Sequence, residues 1–459
     1  MTPGTFWKKW LTRNRNYKDR VIDVYEGYVG QAEGLYVKRW TGKLENITRA
    51  GASVKIEAVD LLKDIAKIDV PPKLDLKLSV DITDTQNTMT IFGTGTAYGA
   101  DAVQLDSPAG TLIIDEEVVT YTSIDTATGV IGGVTRGAHG TTAATHTVKT
   151  KVGKVKVYAD QNGFDLMKSM LLTDAAVGAV NVDGAAFDYW RDYPGDEQNI
   201  SATITEPTKL SVLFWELVDL FDCKVWVGED LKITIARNLP NDPLRTFDSI
   251  SDDTGIVAGS AKVDQNEKSR LTRAVIYWDK AATGKVDDPA KYGKLDIAID
   301  ATAESVNDYD EVIEKKVMSR WIHSEGHVEE DMADFARNLV MRQVWRNRDA
   351  SPIVTVDVDF KDEAIKTGGW VQLSTDELVD RFGEPFSGRE FQVVKREKKE
   401  NVVTLSLLKG ASGRCLMIAP DSLLGIDWDD ATVAQQAYGA ICDDTGRMIG
   451  GEDEGYRIW

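Results

Sequence analysis

Apolar and polar positions alternate most cleanly at residues 353–360, where Val354, Val356, Val358 and Phe360 are interleaved with Thr355, Asp357 and Asp359. A period of two predicts a strand with one buried and one solvated face, as in an antiparallel sheet or barrel. The same alternation runs through Ser53–Val59, with Val54, Ile56 and Ala58 against Lys55 and Glu57, and β-prone runs at 21–29 and 35–47 precede it. Further strands are expected at 273–278, 295–299, 370–373, 390–394 and 402–408. A tight hairpin is expected from 224–227 and 231–235, closed by Gly228, Glu229 and Asp230.

Helical spacing appears in four places: a short run at 61–67, a run at 163–172, and two stronger ones at 208–221 and 328–346. In the third, Leu210, Phe214, Leu217, Val218 and Phe221 form an apolar face, and Thr208 is placed to cap it. In the fourth, Met332, Phe335, Leu339 and the stem of Arg342 track one stripe. Glu329, Glu330 and Asp331 open that helix and Arg342, Arg346 and Arg348 close it, as the helix dipole favours.

Pro71 and Pro72 stop the first helix and mark a boundary. Residues 77–153, rich in Thr, Gly, Asp and Val and without Trp, differ in composition from both flanks and read as an inserted small β domain. The expected division is 1–76 (first β domain, with a strand at 154–160 returning to it), 77–153 (insert), 154–241 (mixed helix and hairpin), 242–409 (second β domain, carrying helix 328–346) and a polar extension at 410–459, strand-like near 415–418 and 456–458. The fold class is mainly β with α+β parts.

Within the insert, 112–121 is β-prone, 125–129 supplies turn residues, and 130–134 resumes a strand. Arg136 to His146 then forms a stiffly specified loop in which Gly137 and Gly140 admit backbone angles closed to other residues and Thr141 and Thr142 bond back to nearby amides. The candidate structural motif is Glu117, Tyr121, Arg136, Gly137, Gly140, Thr141 and His146, with His139 and His146 as hydrogen-bonding posts.

At 459 residues the chain is long enough for roughly three domains. Its 42% hydrophobic and 28% charged residues are those of a chain that folds. With 74 acids against 54 bases, a formal charge of -20, it is no generic nucleic-acid binder. A lining of like sign nevertheless suits a conduit that passes DNA without gripping it. The basic exception is Lys8, Lys9, Arg13, Arg15, Lys18 and Arg20, interleaved with Trp10 and Tyr17: either an arm docking on an acidic neighbour or a frayed terminus. Three cysteines, at 223, 415 and 442, are too few and scattered for a disulfide framework or a four-thiolate cluster and fit a reducing compartment. No apolar run approaches the roughly 18 residues of a membrane span, so stable insertion in a bilayer is not expected.

The chemistry-bearing patterns are weak. His323 and His327 are four apart but separated by Gly326 in the order His-Ser-Glu-Gly-His, which predicts a loop rather than a metal-binding helix face. Residues 92–99 carry glycines without the Lys of a phosphate loop and read as a β turn. Acid pairs at 115–117, 252–253 and 429–430 could serve a glycosidase only if folded to the right separation. Cys223 and the Trp residues 190, 215, 226, 278, 321, 345 and 370 are expected in the core. Neither cofactor nor metal is called for.

Across nearly 400 residues the landmarks Val21-Ile-Asp-Val-Tyr-Glu-Gly, Arg39-Trp-Thr-Gly-Lys-Leu-Glu-Asn-Ile, Val54-Lys-Ile-Glu-Ala-Val-Asp-Leu-Leu, Ile204-Thr-Glu-Pro, Lys366-Thr-Gly-Gly-Trp-Val-Gln-Leu and Phe391-Gln-Val-Val follow in order. In that order they resemble the baseplate-hub or tail-tip hub proteins of tailed bacteriophages and gene transfer agents, and the Arg-Gly-x-x-Gly-Thr loop with its His resembles a module of phage tail proteins. The resemblance implies two related β-barrel domains per subunit and a homotrimer forming a pseudo-sixfold ring. That ring would lie in the virion's tail tip, assembled in the host cytoplasm, between the tail tube or distal tail protein and a central fibre, with tape-measure protein or DNA in its lumen. It implies no enzyme. The runner-up is a carbohydrate-binding β protein of a tail or cell surface, its glycans held by the insert.

Overall fold

The computed structural model describes residues 6–50, 53–93, 104–193, 198–228, 232–237, 247–253, 255–264, 267–305, 309–348, 352–359, 365–379, 383–399 and 402–409, with 350, 362, 416–417 and 440–441. It is mainly β, in several separate sheets, with helices concentrated between residues 163 and 347. Its apolar interior falls into three clusters of different chain composition.

After a basic helix, Phe6–Arg13, strands Val21–Glu26, Val37–Ala50 and Ser53–Val59 form a three-stranded antiparallel meander. Leu44, Ile47 and Val59 are its buried apolar residues, and none belongs to the three clusters. The helix expected at 61–67 is Leu61–Ile65. Strand Asp69–Val70 pairs with Thr208–Lys209, which corrects one expectation: Thr208 does not cap the next helix. That helix, Leu210–Leu220, starts after Lys209 without a side-chain cap, and the Thr208 hydroxyl donates to the Glu206 carbonyl.

Between these lies an eight-stranded sheet in the spatial order Thr135–Ala138, Glu117–Tyr121, Gly110–Ile114, Lys151–Lys154, Leu76–Leu78, Thr88–Gly93, Val130–Gly132, Ser123–Asp125. Alternation buries one face of each strand, and Leu76, Leu78, Ile91, Leu112, Ile114, Val119, Ile131 and Val152 build a core drawn wholly from residues 74–152. The run 112–121 is not one strand. It breaks at Asp115, whose φ of 53° makes the tight turn of a hairpin, so Ile114 lies opposite Glu117. The turn expected at 125–129 is present: the Gly129 amide donates to the Asp125 carbonyl, and the Asp125 carboxylate accepts from Ala127 and Thr128.

The largest core joins Phe164, Phe187, Phe214, Phe221, Trp278, Trp321, Phe335 and Leu339. It gathers helices Gly163–Ser169, Gly184–Arg191, Leu210–Leu220 and Glu329–Asn347, the hairpin Cys223–Val227 with Ile233–Arg237, and the sheet Tyr292–Ile299, Arg273–Lys280, Glu314–Met318. Two expectations are corrected here. Strand Lys156–Gln161 pairs with Ile200–Ile204 rather than returning to the N-terminal meander. The long helix and residues 271–322 share their core with 158–235 and not with the strands after 350, so packing does not divide at 242. Of the Trp residues expected inside, Trp190, Trp278, Trp321 and Trp370 are buried and Trp226 half-buried, while Trp215 and Trp345 are exposed.

The third core fills a six-stranded sheet ordered Phe247–Ser251, Trp370–Val379, Pro385–Lys399, Val402–Lys409, Ile353–Asp359, Lys262–Asp264. Val354, Val356 and Val358 point inward as their alternation predicts. No sheet among the described residues closes as a barrel by continuous pairing. One stretch of chain nevertheless serves both edges. Phe247–Ser251 runs parallel to Trp370–Val379 at one edge, and Lys262–Asp264 pairs with Ile353–Asp359 at the other. Between them the Val257 amide donates to the Asp357 carbonyl at 2.8 Å and the Asp359 amide to the Gly255 carbonyl at 2.8 Å.

Expectations for 94–99, the turn at 229–230, Phe360, Cys415, Asp429, Asp430 and 456–458 lie outside the described residues. Within the extension, Leu416–Met417 pairs with Ala440–Ile441. Among the described residues no helix is long and apolar enough to cross a membrane.

Candidate functional site

The insert's motif assembles around one carboxylate. The hairpin turn at Asp115 places Glu117 first on its strand and turns it inward, leaving it 1% exposed. Burying an ionised carboxylate is costly unless its lone pairs are taken. Here they are. Oε1 accepts from Arg136 Nε at 2.8 Å and the Gly137 amide at 2.9 Å. Oε2 accepts from Arg136 Nη2 at 2.7 Å, the Ala144 amide at 3.1 Å and His146 Nε2 at 2.8 Å. Arg136 is thus bidentate, the strongest form of the pair. Its remaining donors reach the Ala144 carbonyl at 2.6 Å and the Thr83 carbonyl.

His146 is held at both ends, Nε2 by Glu117 and Nδ1 by Asp115 Oδ2 at 2.9 Å. Burial pushes the Glu117 carboxyl up, but the hydrogen bonds from Arg136, His146, Ala144 and Gly137 outweigh it and hold the group at about 2.

The rest of the loop serves this clamp. Gly137 sits at φ 61°, where an added Cβ would lie 2.9 Å from the Thr141 carbonyl oxygen, and this is what aims its amide at Glu117. Gly140 and His139 also take left-handed angles, turning the chain back. The Thr141 hydroxyl donates to the Ala138 carbonyl at 2.7 Å and accepts from the Val118 amide at 3.0 Å, tying the loop to the Glu117 strand. Tyr121 stands apart: its hydroxyl donates to the Asp106 carbonyl at 2.7 Å, and burial pushes it up to about 12. Asp115 was read from the sequence only as part of an acid pair, not as a partner of His146, and Ala144 and Thr83 were not singled out. Thr83 contributes only a carbonyl, which carries no sequence signal.

A second, half-buried cluster lies beside the largest core. Glu216, on helix Leu210–Leu220, accepts from Arg320 Nη2 at 2.9 Å and Trp321 Nε1 at 3.1 Å. Burial outweighs those two bonds and raises its carboxyl. Nearby Lys280, 9% exposed, donates to the Ala281 carbonyl at 2.9 Å, and burial, then Arg320, lowers it to about 8. His323 and His327 lie in the chain just before helix Glu329–Asn347, as their spacing predicts. The His323 ring donates from Nε2 to the Arg320 carbonyl at 3.1 Å, and burial lowers it.

No protein-family model matches the sequence, and no curated protein matches it. Among solved structures, a protein of the native gene transfer agent virion superposes with a TM-score of 0.36 at 10% identity, over 83% of this chain and 84% of that one. The prophage tail protein gp18 of Listeria monocytogenes EGD-e gives 0.33 at 10% identity, over 78% and 92%. The 43 kDa tail protein of prophage MuSo2 from Shewanella oneidensis gives 0.31 at 10%, over 80% and 98%. Likeness this loose establishes neither a shared function nor a shared assembly.

Proposed function

We propose that this chain is a non-enzymatic structural hub of a bacteriophage tail tip. Three copies form a pseudo-sixfold ring that joins the tail tube to the tip and surrounds the channel for DNA or tape-measure protein. In this reading the N-terminal meander and the six-stranded sheet belong to the two hub barrels, and the insert, with the Glu117 clamp as its structural pin, faces neighbouring tail-tip proteins.

The observation that carries the reading is the segment 247–264, which pairs at one end with each edge of the six-stranded sheet. A sheet whose edges share one segment is barrel-like, and it stands where the ordered landmarks place the second hub domain. The net charge of -20 supports a channel that repels rather than grips DNA. The Glu117 carboxylate has its acceptor positions filled from within the chain, which supports a pin rather than a proton-transfer group. A glycan-binding insert would need an exposed aromatic shelf, whereas among the described residues of 77–153 the aromatic side chains are Phe92, half-buried, and Tyr121, buried.

Cryo-electron microscopy of the intact particle tests the hub. Three copies around a central channel beside the tail tube are expected. Copies confined to the periphery, or none in the particle, would sink it.

A further inference from the structure

Residues 6–18, Phe-Trp-Lys-Lys-Trp-Leu-Thr-Arg-Asn-Arg-Asn-Tyr-Lys, hold five cations and no acid, in a chain whose formal charge is -20. The first eight form helix Phe6–Arg13. Asn14 closes it, its amide and its side chain both donating to the Trp10 carbonyl, at 2.8 and 2.9 Å. At roughly 100° per residue, Phe6, Trp10, Trp7 and Leu11 fall in succession within one arc of about 140°. Lys8, Thr12, Lys9 and Arg13 occupy the remainder. The helix is two-sided, with every cation outside the apolar arc.

Neither side is taken up by the rest of the chain. No residue of the helix is buried, Phe6 is 53% exposed, and none belongs to the three apolar clusters or to the side chains packed against them. Trp7, Trp10 and Leu11 are half-buried. The rings lean on one another in a row: Phe6 on Trp7 at 5.2 Å, Trp7 on Trp10 at 5.7 Å and Trp10 on Tyr17 at 6.2 Å between centroids. On the other side, no described carboxylate pairs with Lys8, Lys9, Arg13, Arg15 or Lys18, whereas Asp19, the first acid after them, lies 3.5 Å from Lys67. The segment is tied to the meander past the end of the helix, where the Asp19 amide donates to the Leu44 carbonyl and the Leu44 amide to the Arg20 carbonyl, both at 2.9 Å.

We propose that helix Phe6–Arg13 seats on an anionic lipid surface, lying in the plane of the headgroups with its rings toward the acyl chains. A helix with Trp, Phe and Leu on one side and Lys and Arg on the other is matched to that boundary. Indole offers an apolar body with a polar N–H, and Lys8 and Arg13, at the two margins of the apolar arc, have stems long enough to reach lipid phosphates. Single-stranded nucleic acid fits worse: it needs stacking rings and cations along one groove, and here they lie on opposite sides. An acidic protein surface would use the cations and leave the rings in water. Repulsion from acids elsewhere in the chain is screened over about 8 Å at physiological salt, so the local excess of five cations sets the sign. The seat is peripheral, spans nothing, and is independent of the hub reading.

The test sediments the full chain with vesicles of phosphatidylglycerol and phosphatidylcholine in equal parts, and with vesicles of phosphatidylcholine alone. Binding to the first is expected, with hydrogen exchange slowed over residues 6–13, and binding to the second should be about a hundredfold weaker. The triple variant Lys8→Gln, Lys9→Gln, Arg13→Gln should lose about a hundredfold on the anionic vesicles. Trp7→Ala with Trp10→Ala, which keeps the charge, should lose a comparable factor, because the seat needs the buried rings as well. None of these side chains is part of a core, so both variants should keep the melting temperature of the parent. No binding to anionic vesicles, binding that either variant leaves intact, or protection appearing outside residues 6–13 each overturn the proposal. Self-association of the free chain that the Gln variant abolishes, without vesicle binding, overturns it in favour of a second copy as the partner.

Discussion

Two glutamates paired with arginines, Glu117 buried and Glu216 half-buried, are pushed in opposite directions. Glu117 in the insert is held at about 2, whereas Glu216 beside the largest core is raised. Both pay the cost of burial. The difference is the number of donors: Glu117 accepts five hydrogen bonds, two from a bidentate Arg136 and two from backbone amides, while Glu216 accepts one from Arg320 and one from Trp321. A buried ion pair is strong only where the rest of the carboxylate is also satisfied. The insert spends a loop on that; the core does not.

Removing the arginines should separate the two sites most. Arg136→Met leaves Glu117 buried without its bidentate partner and should destabilise the insert by about 3 to 5 kcal/mol. Chemical denaturation combined with hydrogen exchange over residues 76–154 reads this. Arg320→Met should cost only about 1 to 2 kcal/mol, because Glu216 can take up a proton instead. Equal costs would break the comparison.

Acid sharpens it. The Glu117 carboxyl has a folded value of about 2 against an ordinary 4.5, so its stabilisation is complete above 4.5 and lost as pH falls through about 2. The linked free energy is on the order of 3 kcal/mol. Glu216 has the opposite sign. Its ionisation is disfavoured in the folded chain, so the penalty applies at neutral pH and is relieved as pH falls through its raised value towards 4.5. Protection of helix Leu210–Leu220 against hydrogen exchange, relative to intrinsic rates, should rise between neutral pH and 4.5 while that of the insert stays unchanged; below that, the insert's protection should fall.

A smaller effect is expected at Lys280. Burial lowers its folded value to about 8 from 10.5, so the unfolded chain binds the extra proton between those values and stability should rise with pH across that window. Lys280→Met should therefore stabilise the protein at neutral pH by about 2 kcal/mol, with the gain fading above 10.5, as thermal melts at several pH values would show. At the far end of the scale, the Lys55–Glu57 pair lies at the surface, with Lys55 exposed and Glu57 half-buried, and Lys55→Ala should leave the melting temperature unchanged.

The insert's clamp was largely legible because Arg136 to His146 is contiguous and its glycines and threonines announce a fixed loop. Tyr121 was grouped with it through the resemblance of its Glu-x-x-x-Tyr strand to a phage tail module, and belongs to a different contact. The hairpin turn was missed because Asp115 and Glu116 interrupt a β-prone run without the Asn-Gly or Asp-Gly signature. Helix Glu329–Asn347 was readable to within a residue from its stripe and end charges. Helix Gly184–Arg191 was not, being two turns long and opening on glycine. Strand Glu314–Met318 is hidden by Glu314, Lys315 and Lys316, which it tolerates as a sheet edge. The Glu216 cluster draws on residues up to 105 apart in sequence, and spacing of that order carries no local signal. The grouping of 271–322 with 158–235 escaped for the same reason: strand order records which runs are β, not which core they share.

The strands that carry the chain into and out of the eight-stranded sheet, Leu76–Leu78 and Lys151–Lys154, lie side by side, with Leu76 opposite Val152. Paired residues of an antiparallel ladder sit about 5 Å apart, so the scar left by cutting between them is short enough for a tight turn to bridge. A module joined to the chain in this way can be removed or exchanged at these two points while both remaining cores keep every residue they use.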